Sequence, residues 1–546
     1  MPETPPSQAL QIKETLISIV ISFVMAFVFR GFVIEGFQIP TGSMAPTLLG
    51  KHVHIRNPDT GSEWEVGPWN YAGNRPGGVP MREQVGLELN DPITGAEVIR
   101  ASEPLRAGDR IFVLKYLRHV HEPRRWDVVV FKNPSTEENY IKRLVGLPNE
   151  QMALVDGDVF TRPYEKGVTT ESGVETWNAK DWTIARKPER VQRAMFQTVF
   201  DSRLTPANPG PEYRSSWVPG QAGAWEGLRE PDSYRFTGTG ETTLAWDSGL
   251  HPIDDWYPYN QTDVRLKPNA RSYSSIGPYP VSDIAMSLGY EPRGGASSAA
   301  VTGTLKARGR EFQVVVTAGK VAVQMRREGE DAWTTLDEGT IPAFREGKVT
   351  NIEFWHVDQA LWAFVDGKLV AGGAEKGAYA LSPGERIEAS TGTTLEQIYA
   401  LPRQGDPLIT TSRLGVPPMY RKPEVSWSFA GGPFTLRRVV LKRDIYYQVS
   451  AALNQPTRGG DPLNYPSLGP DEFFVCGDNS PASKDARLWT REDGAPDPWI
   501  ADQIDPSVGK VSRKLMIGHA FVVYFPAPVR AGKIPVPDAG KVRWIW

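Results

Sequence analysis

Ser43 stands in the stretch FQIPTGSMAPTLLG, between a glycine and a methionine. A serine hydroxyl is a poor nucleophile and works only with a base within hydrogen-bond reach. GSMAP lacks the G-x-S-x-G pattern of a strand-to-helix nucleophile turn. Among the histidines, His52 and His54 are close in sequence, and His119 and His121 lie in a basic loop. None sits in an apolar strand beside an acidic residue that could orient it. The other available base is a lysine, whose amine must be brought several units below its ordinary pKa of about 10.4 by desolvation. Lys142, in YIKRLVGL, shares a strand face with Tyr140 and Leu144, neighbours placed to strip water from its amine. Lys115, after IFVL, shares its face with Ile111, Val113 and Leu117, so periodicity alone leaves both lysines open. Arg143 falls on the face opposite Lys142, and a guanidinium cannot give up its proton. Cys476 is the only cysteine, which excludes an internal disulfide and a thiolate zinc cluster. With no partner motif around it, it reads as buried packing.

These side chains need elements to hold them. The one long apolar run, LISIVISFVMAFVF over residues 16–29, lies just before the serine. Counted through Ile34 it approaches the ~20 residues a helix needs to cross the hydrocarbon. A transmembrane helix is expected over 15–34, with Arg30 snorkelling to the interface. A cleaved leader would call for more basic residues than Lys13 ahead of the run and a small-residue cleavage site after it. Residues 1–14 are expected on the cytoplasmic side and the remaining bulk outside, since large domains cross regardless of charge.

The 546 residues exceed what one core organises. With 61 Lys and Arg against 64 Asp and Glu there is no basic footprint, which excludes nucleic acid as the main partner. The 52 Gly and 47 Pro point to many turns and a mainly β body. GDRIFVLKY, WDVVVFK and YIKRLVGL read as strands, and residues 151–160 as a hairpin turning at Asp156-Gly157-Asp158. From Thr161 the loops lengthen and Trp and Tyr multiply. Within this region residues 311–326 read as a hairpin with a Gly turn, and 351–370 as two or three strands ending at an Asp-Gly turn. The strand–DGK–strand ending resembles laminin-G or concanavalin-like jelly rolls. After Asp471 the strand pattern of the first part returns, in EFFVCGDN and LMIGHAFVVYF.

The expected organisation is a β catalytic domain in three pieces, 35–50, 107–160 and 470–546. A small insertion over 51–106 and a large β-rich insertion over 161–469 interrupt it. The flanks of the large insertion read as a hairpin interrupted at its tip, so it is expected to be dispensable for catalysis. In the small one, Asn57-Pro58-Asp59-Thr60-Gly61 and Asp91-Pro92-Ile93-Thr94-Gly95 resemble zinc-ribbon knuckles, C-P-x-C-G, with each Cys replaced. That predicts a ribbon-like pair of hairpins without zinc, two unrelated turns being the other reading.

PTGSMAPTL, YIKRLVGLPNE and GDNSPASKDAR, in that order after one apolar span, resemble the boxes of the bacterial type I signal peptidases. Those boxes read P-S-G-S-M-x-P-T-L, Y-x-K-R-x-x-G-x-P-G-D and G-D-N-x-x-x-S-x-D-S-R. The resemblance implies a membrane-bound serine endopeptidase of the Ser/Lys type, with Ser43 as nucleophile and Lys142 as general base, and so decides between the lysines. It further implies an oxyanion hole from the Thr41 hydroxyl and the Ser43 backbone N–H. Ser483 is implied to orient the lysine amine, and Asp478, Asp485 and Arg487 to form a supporting network. The last box departs at Ser480-Pro481, where Arg-Asp is usual, and at Ala486, where Ser is usual; Asn149-Glu150 replaces Gly-Asp. These departures bear on loop support rather than on the dyad. Read without the resemblance, Asp485 and Arg487 are an ordinary surface pair.

The implied partners are signal-peptide-bearing preproteins and the lipid bilayer, with no cofactor and no metal. The implied location is the bacterial cytoplasmic membrane, single-pass, with the catalytic domain on the outer, periplasmic side. Such an enzyme must hold its nucleophile at the membrane surface, and Ser43 follows Ile34 by nine residues. Phe37, Ile39, Met44 and Leu48 are expected to form an apolar, membrane-facing rim. One competing reading is a lectin-like protein on an inactive peptidase scaffold. It rests on the insertion, which would then hold a ligand of its own, and the intact Ser43, Lys142 and Ser483 stand against it. A self-cleaving Ser/Lys repressor-type protease calls for a DNA-binding half and no span.

Overall fold

The computed structural model describes the chain outside residues 1–7, 68–83, 117–121, 134–137, 166–172, 212, 263, 265–276, 401–412, 449–457, 490–508 and 532–533. His119 and His121 thus lie outside the described residues.

The apolar run forms the helix Gln8–Phe32. Within it Gln11–Phe32 is long and apolar enough to cross a membrane, and none of it is buried against the rest of the chain. Side chains such as Phe23, Phe27 and Phe32 stand exposed around it, a surface suited to lipid rather than water. The helix stops two residues short of the expected end at Ile34. Ile34 instead opens the strand Ile34–Gln38, which pairs antiparallel with Arg110–Lys115. Lys115 secures the junction, bonding Glu35 at 2.9 Å and the carbonyl of Gly31 at 2.9 Å.

The chain is mainly β. The strands read as GDRIFVLKY, WDVVVFK and YIKRLVGL are Arg110–Lys115, Val128–Lys132 and Asn139–Gly146. They lie in one sheet whose order is Ile34–Gln38, Arg110–Lys115, Met516–Phe525, Val128–Lys132, Asn139–Gly146, Glu472–Cys476, Val511–Ser512. Segments hundreds of residues apart in sequence are thus neighbours in one sheet. The next hairpin, Glu150–Val155 with Asp158–Pro163, turns through Asp156 and Gly157, both left-handed at φ 48° and 88°. Gly supplies that conformation freely and Asp tolerates it.

The chain leaves this hairpin after Pro163 and returns at Ser467–Leu468, which pairs with Glu150–Val155. Between them, two large antiparallel sheets enclose one continuous apolar core that includes Trp217, Tyr234, Leu244, Val314, Phe354, Trp427 and Leu441. The predicted 311–326 hairpin is Arg310–Thr317 with Lys320–Arg327. The 351–370 region is three strands, Thr350–Val357, Ala360–Val365 and Lys368–Gly372.

This β-rich insertion is tied to the hairpin tip by buried ions. Asp156 accepts from Arg308 Nε at 2.7 Å, Arg386 Nε at 3.0 Å and Ser390 Oγ at 2.7 Å. Arg308 also reaches Asp283 at 2.5 Å, and Arg386 reaches Asp158.

Residues 51–106 contribute a small four-stranded sheet with its own core of Val53, Ile55, Trp64, Val66, Leu87 and Leu89. Its two x-P-x-T-G turns face each other across the buried Asp91. That carboxylate accepts from Asn57 Nδ2 at 2.6 Å, Ser62 Oγ at 2.5 Å and Thr60 Oγ1 at 3.2 Å. It also accepts from the amides of Ile93 and Thr94 at 2.8 and 3.1 Å. Hydrogen bonds to Asp91 thus join the two turns.

Candidate active site

The segment after Ile34–Gln38 folds down onto the sheet. Ile39, Met44 and Leu48 pack against Ile111, Val113, Val128 and Val130. The expected membrane-facing rim is therefore wrong for these three, which are 2%, 0% and 0% exposed; only Phe37 stays partly open. Burying them anchors the loop, and that outweighs leaving apolar groups at the surface. Ser43 sits on this anchored loop.

Lys142 lies on Asn139–Gly146 and is 5% exposed. Its Nζ is 2.8 Å from Ser43 Oγ and 3.0 Å from the carbonyl of Ile141. The Tyr140 ring, on the same face, lies 5.6 Å from Nζ. Burial brings the amine down to about 8, against the opposing pull of Asp485 and Asp478. At pH 7 roughly a tenth of the lysine is then neutral, against well under a thousandth for an exposed one.

The rival Lys115 is engaged at the foot of the helix with Glu35. His52 bonds the carbonyl of Gly50 at 2.8 Å, and His54 stands between Glu63 and Glu65 at 3.6 and 3.5 Å. Among these lysines and histidines within the described residues, Lys142 is the one whose side chain reaches Ser43 Oγ. Thr41 Oγ1 lies 3.4 Å from Ser43 Oγ, on the same side of the loop.

Ser483 is buried in the same pocket, but its hydroxyl makes no hydrogen bond to Lys142. It crowds Gly477 instead. A Cβ there would meet Ser483 Oγ at 2.1 Å and Ser43 O at 2.5 Å, so only glycine fits.

Asp485 and Arg487 are not the surface pair that the bare sequence suggests. They are 0% and 2% exposed and joined by two bonds of 2.8 Å, with the Gly477 amide adding a third to Asp485 at 2.7 Å. Burial works against the Asp485 charge, yet Arg487 holds its carboxyl below the usual range. Ser480, one of the departures in the box, accepts from Arg487 Nη1 at 2.7 Å.

Sequence reasoning dismissed Arg143 as a base and gave it no other role. It is wholly buried and forks onto Asp478 through two bonds of 2.7 Å. Asp478 in turn accepts from Thr47 Oγ1 of the Ser43 loop at 2.6 Å. A charged residue inside an apolar strand requires such a partner, which was the available signal. Asn479 was also passed over; its amide donates to Ser43 O at 3.1 Å and its side chain to Gly42 O at 3.0 Å.

The carboxylates of Asp158, Asp283, Asp358 and Asp444 lie within 4.8 Å of one another. Lys187 bonds Asp358 and Asp444, Arg308 bonds Asp283 and Arg386 bonds Asp158, so cationic side chains already occupy the cluster.

The family described as "Signal peptidase, peptidase S26" matches residues 97–198, which include Lys142. Signal peptidase I of Buchnera aphidicola subsp. Schizaphis graminum is 29% identical over 139 residues, 25% of this chain and 30% of that protein. Signal peptidase I of Leptolyngbya laminosa is 31% identical over 109 residues, 18% of this chain and 49% of that protein. Signal peptidase I of Rickettsia bellii is 27% identical over 158 residues, 29% of this chain and 42% of that protein. The chain thus spans less than half the length of these relatives. Among solved structures, the carbohydrate binding module CBM66 from Bacillus subtilis aligns over 42% of this chain and 96% of its own. At 10% identity and a TM-score of 0.22 that likeness says nothing about ligand or fold. Over the matched segments the chain is similar to the type I signal peptidases, with residues 97–198 matching the peptidase S26 family.

Proposed function

We propose that the protein is a membrane-anchored serine endopeptidase that removes N-terminal signal peptides from exported preproteins. The observation that carries this reading is the 2.8 Å approach of a buried lysine amine to Ser43 Oγ.

In its neutral form Lys142 accepts the Ser43 proton as Oγ bonds to the scissile carbonyl carbon. The carbonyl oxygen takes up the negative charge, facing the Ser43 amide and the Thr41 hydroxyl. Donors already in place stabilise that charge without reorganising. Collapse breaks the C–N bond, and the Lys142 ammonium returns its proton to the leaving amine, leaving an ester on Ser43. Water then attacks the ester with the same lysine as base, and the proton goes back to Ser43 Oγ. Asp485 and Arg487 brace the box around the amine, and Ser483 fills the pocket beside Gly477. No cofactor or metal enters these steps.

Gln11–Phe32 would seat this chemistry at the face of a bacterial cytoplasmic membrane, with a single pass and the catalytic part on the outer side. Substrates held in the same bilayer would present their cleavage sites there. The lectin-like alternative has no counterpart to the buried lysine against Ser43. The direct test is cleavage of a preprotein by the detergent-solubilised full chain and by Ser43→Ala. Cleavage by both, or by neither, overturns the proposal.

A further inference from the structure

We infer that the large insertion belongs to the catalytic unit, with its Asn260 serving as a positioning residue for the nucleophile loop. The inference rests on the peptidase reading and adds a component to it. Pro258–Asn260 forms a short 3-10 turn within the insertion. From it Asn260 Nδ2 donates to Asn479 Oδ1 at 2.6 Å, and Asn479 Nδ2 donates back to Asn260 Oδ1 at 2.8 Å. The second N–H of the Asn479 amide goes to the carbonyl of Gly42. A primary amide has one accepting end and one donating end. With Nδ2 of Asn479 toward both Asn260 Oδ1 and Gly42 O, the reciprocal pair and the loop anchor are made together, so the Asn260 amide supports the end of Asn479 that faces the loop. With the amide reversed, its oxygen would oppose Gly42 O and the anchor would be lost. Both asparagines are buried, at 7% and 1% exposure, so water does not replace a lost bond easily.

Two further contacts come from the same insertion. The Tyr259 ring covers Gly42 so closely that a Cβ there would lie 2.1 Å from it, and its hydroxyl donates to Lys51 O at 2.9 Å. With Ala45 and Leu49 it forms a small core of its own. On the other side, Gln448 donates its amide to Ser480 Oγ at 2.8 Å, and its carbonyl accepts from Arg487 at 3.1 Å. The insertion thus touches the box at the position where it departs from the family pattern. The expectation that the insertion is dispensable does not fit these contacts.

The test uses the full chain in detergent, as wild type, Asn260→Leu and the volume-preserving Asn260→Asp, whose carboxylate cannot donate to Asn479. Measured are kcat and KM on a preprotein, amide hydrogen exchange over residues 42–49, and the thermal midpoint. Because a small displacement of a nucleophile is costly, kcat should fall about ten- to hundredfold with KM within about twofold. Exchange over 42–49 should quicken at an unchanged midpoint. The double variant with Asn479→Leu should be no slower than Asn479→Leu alone, since both act through one contact. Folded variants with wild-type kcat and exchange overturn the inference. So do additive losses in the double variant, or global unfolding of both substitutions, which would mark Asn260 as structural only. If the wild type cleaves no preprotein while exchange still responds to Asn260, the peptidase reading fails and the contact stands.

Discussion

Arg143 and Asp478 meet through two parallel hydrogen bonds of 2.7 Å, with both side chains fully enclosed. The pair joins the strand that carries Lys142 to the loop that follows Glu472–Cys476, and through Thr47 it also grips the Ser43 loop. It ties the Lys142 strand to the Ser43 loop without touching Ser43 Oγ or Lys142 Nζ.

Removing one partner leaves the other charged and unsatisfied in a dry interior. Asp478→Ala should cost roughly 3–5 kcal/mol, more than an exposed pair could account for. Arg143→Lys should not rescue the site, because an ammonium cannot make both bonds of the fork. Denaturant unfolding of the two variants measures this. A loss of under ~1 kcal/mol for Asp478→Ala would show that the pair is not structural.

Thr41 Oγ1 lies 3.4 Å from Ser43 Oγ. Its hydroxyl is proposed to meet the oxyanion, which exists only as the carbonyl is attacked. Thr41→Ala should lower kcat on the order of 10²–10³-fold with little change in KM, and Thr41→Ser should keep most of the activity. Steady-state kinetics on one preprotein separate these outcomes, and an unchanged kcat in Thr41→Ala excludes the role.

Much of the fold was legible in the sequence because its signals were local. The short apolar runs in WDVVVFK and YIKRLVGL, the Asp-Gly and Ala-Gly turns and the long unbroken apolar segment each announce an element over a few residues. The end of the helix was misplaced because Ile34 and Glu35 are drawn into pairing with a strand about 80 residues away, which hydropathy does not register. The approach of Lys142 to Ser43 was legible through the motifs that hold them. The contacts around it were not: Asn260 pairs with Asn479 across 219 positions, and nothing in YPYNQ signals that its amide is buried against the segment after Cys476. The rim was misread because Ile39, Met44 and Leu48 look the same in sequence whether they face lipid or a core.

Asp91 offers a different check. Its carboxylate is 1% exposed and serves three side-chain and two backbone donors from the facing turns. Asp91→Ala strands those donors, each a buried group whose unpaired cost is roughly 1–3 kcal/mol and not additive. Hydrogen exchange over residues 51–106 should rise sharply in the variant. Chelation of the wild type should change neither that exchange nor the thermal midpoint, because five hydrogen-bond donors already occupy the Asp91 carboxylate. A chelator-dependent midpoint would mean that a cation is held there after all.

The strongest test of the chemistry is the pH dependence of Lys142. Burial lowers its amine from 10.5 to about 8. Only the neutral amine can take the Ser43 proton, so kcat/KM should rise about tenfold per pH unit below that value and level off above it. Lys142→Arg keeps the charge but cannot deprotonate, and should be inactive at every pH, whereas Lys115→Arg should keep its ion pair and its activity. The same shift has a stability consequence of fixed sign. Below about pH 8 the amine is protonated both folded and unfolded, and the full cost of burying the charge is present. Between about 8 and 10.5 the unfolded chain binds more protons than the folded one, so stability rises with pH. The span of about 2.5 units corresponds to roughly 3 kcal/mol. Lys142→Met should therefore be inactive yet more stable than wild type at pH 7, with the advantage shrinking as pH approaches 10.5. Denaturant unfolding at pH 7 and 10 reads this difference directly. If wild type and Lys142→Met show the same dependence on pH, the lysine is not desolvated and cannot be the base.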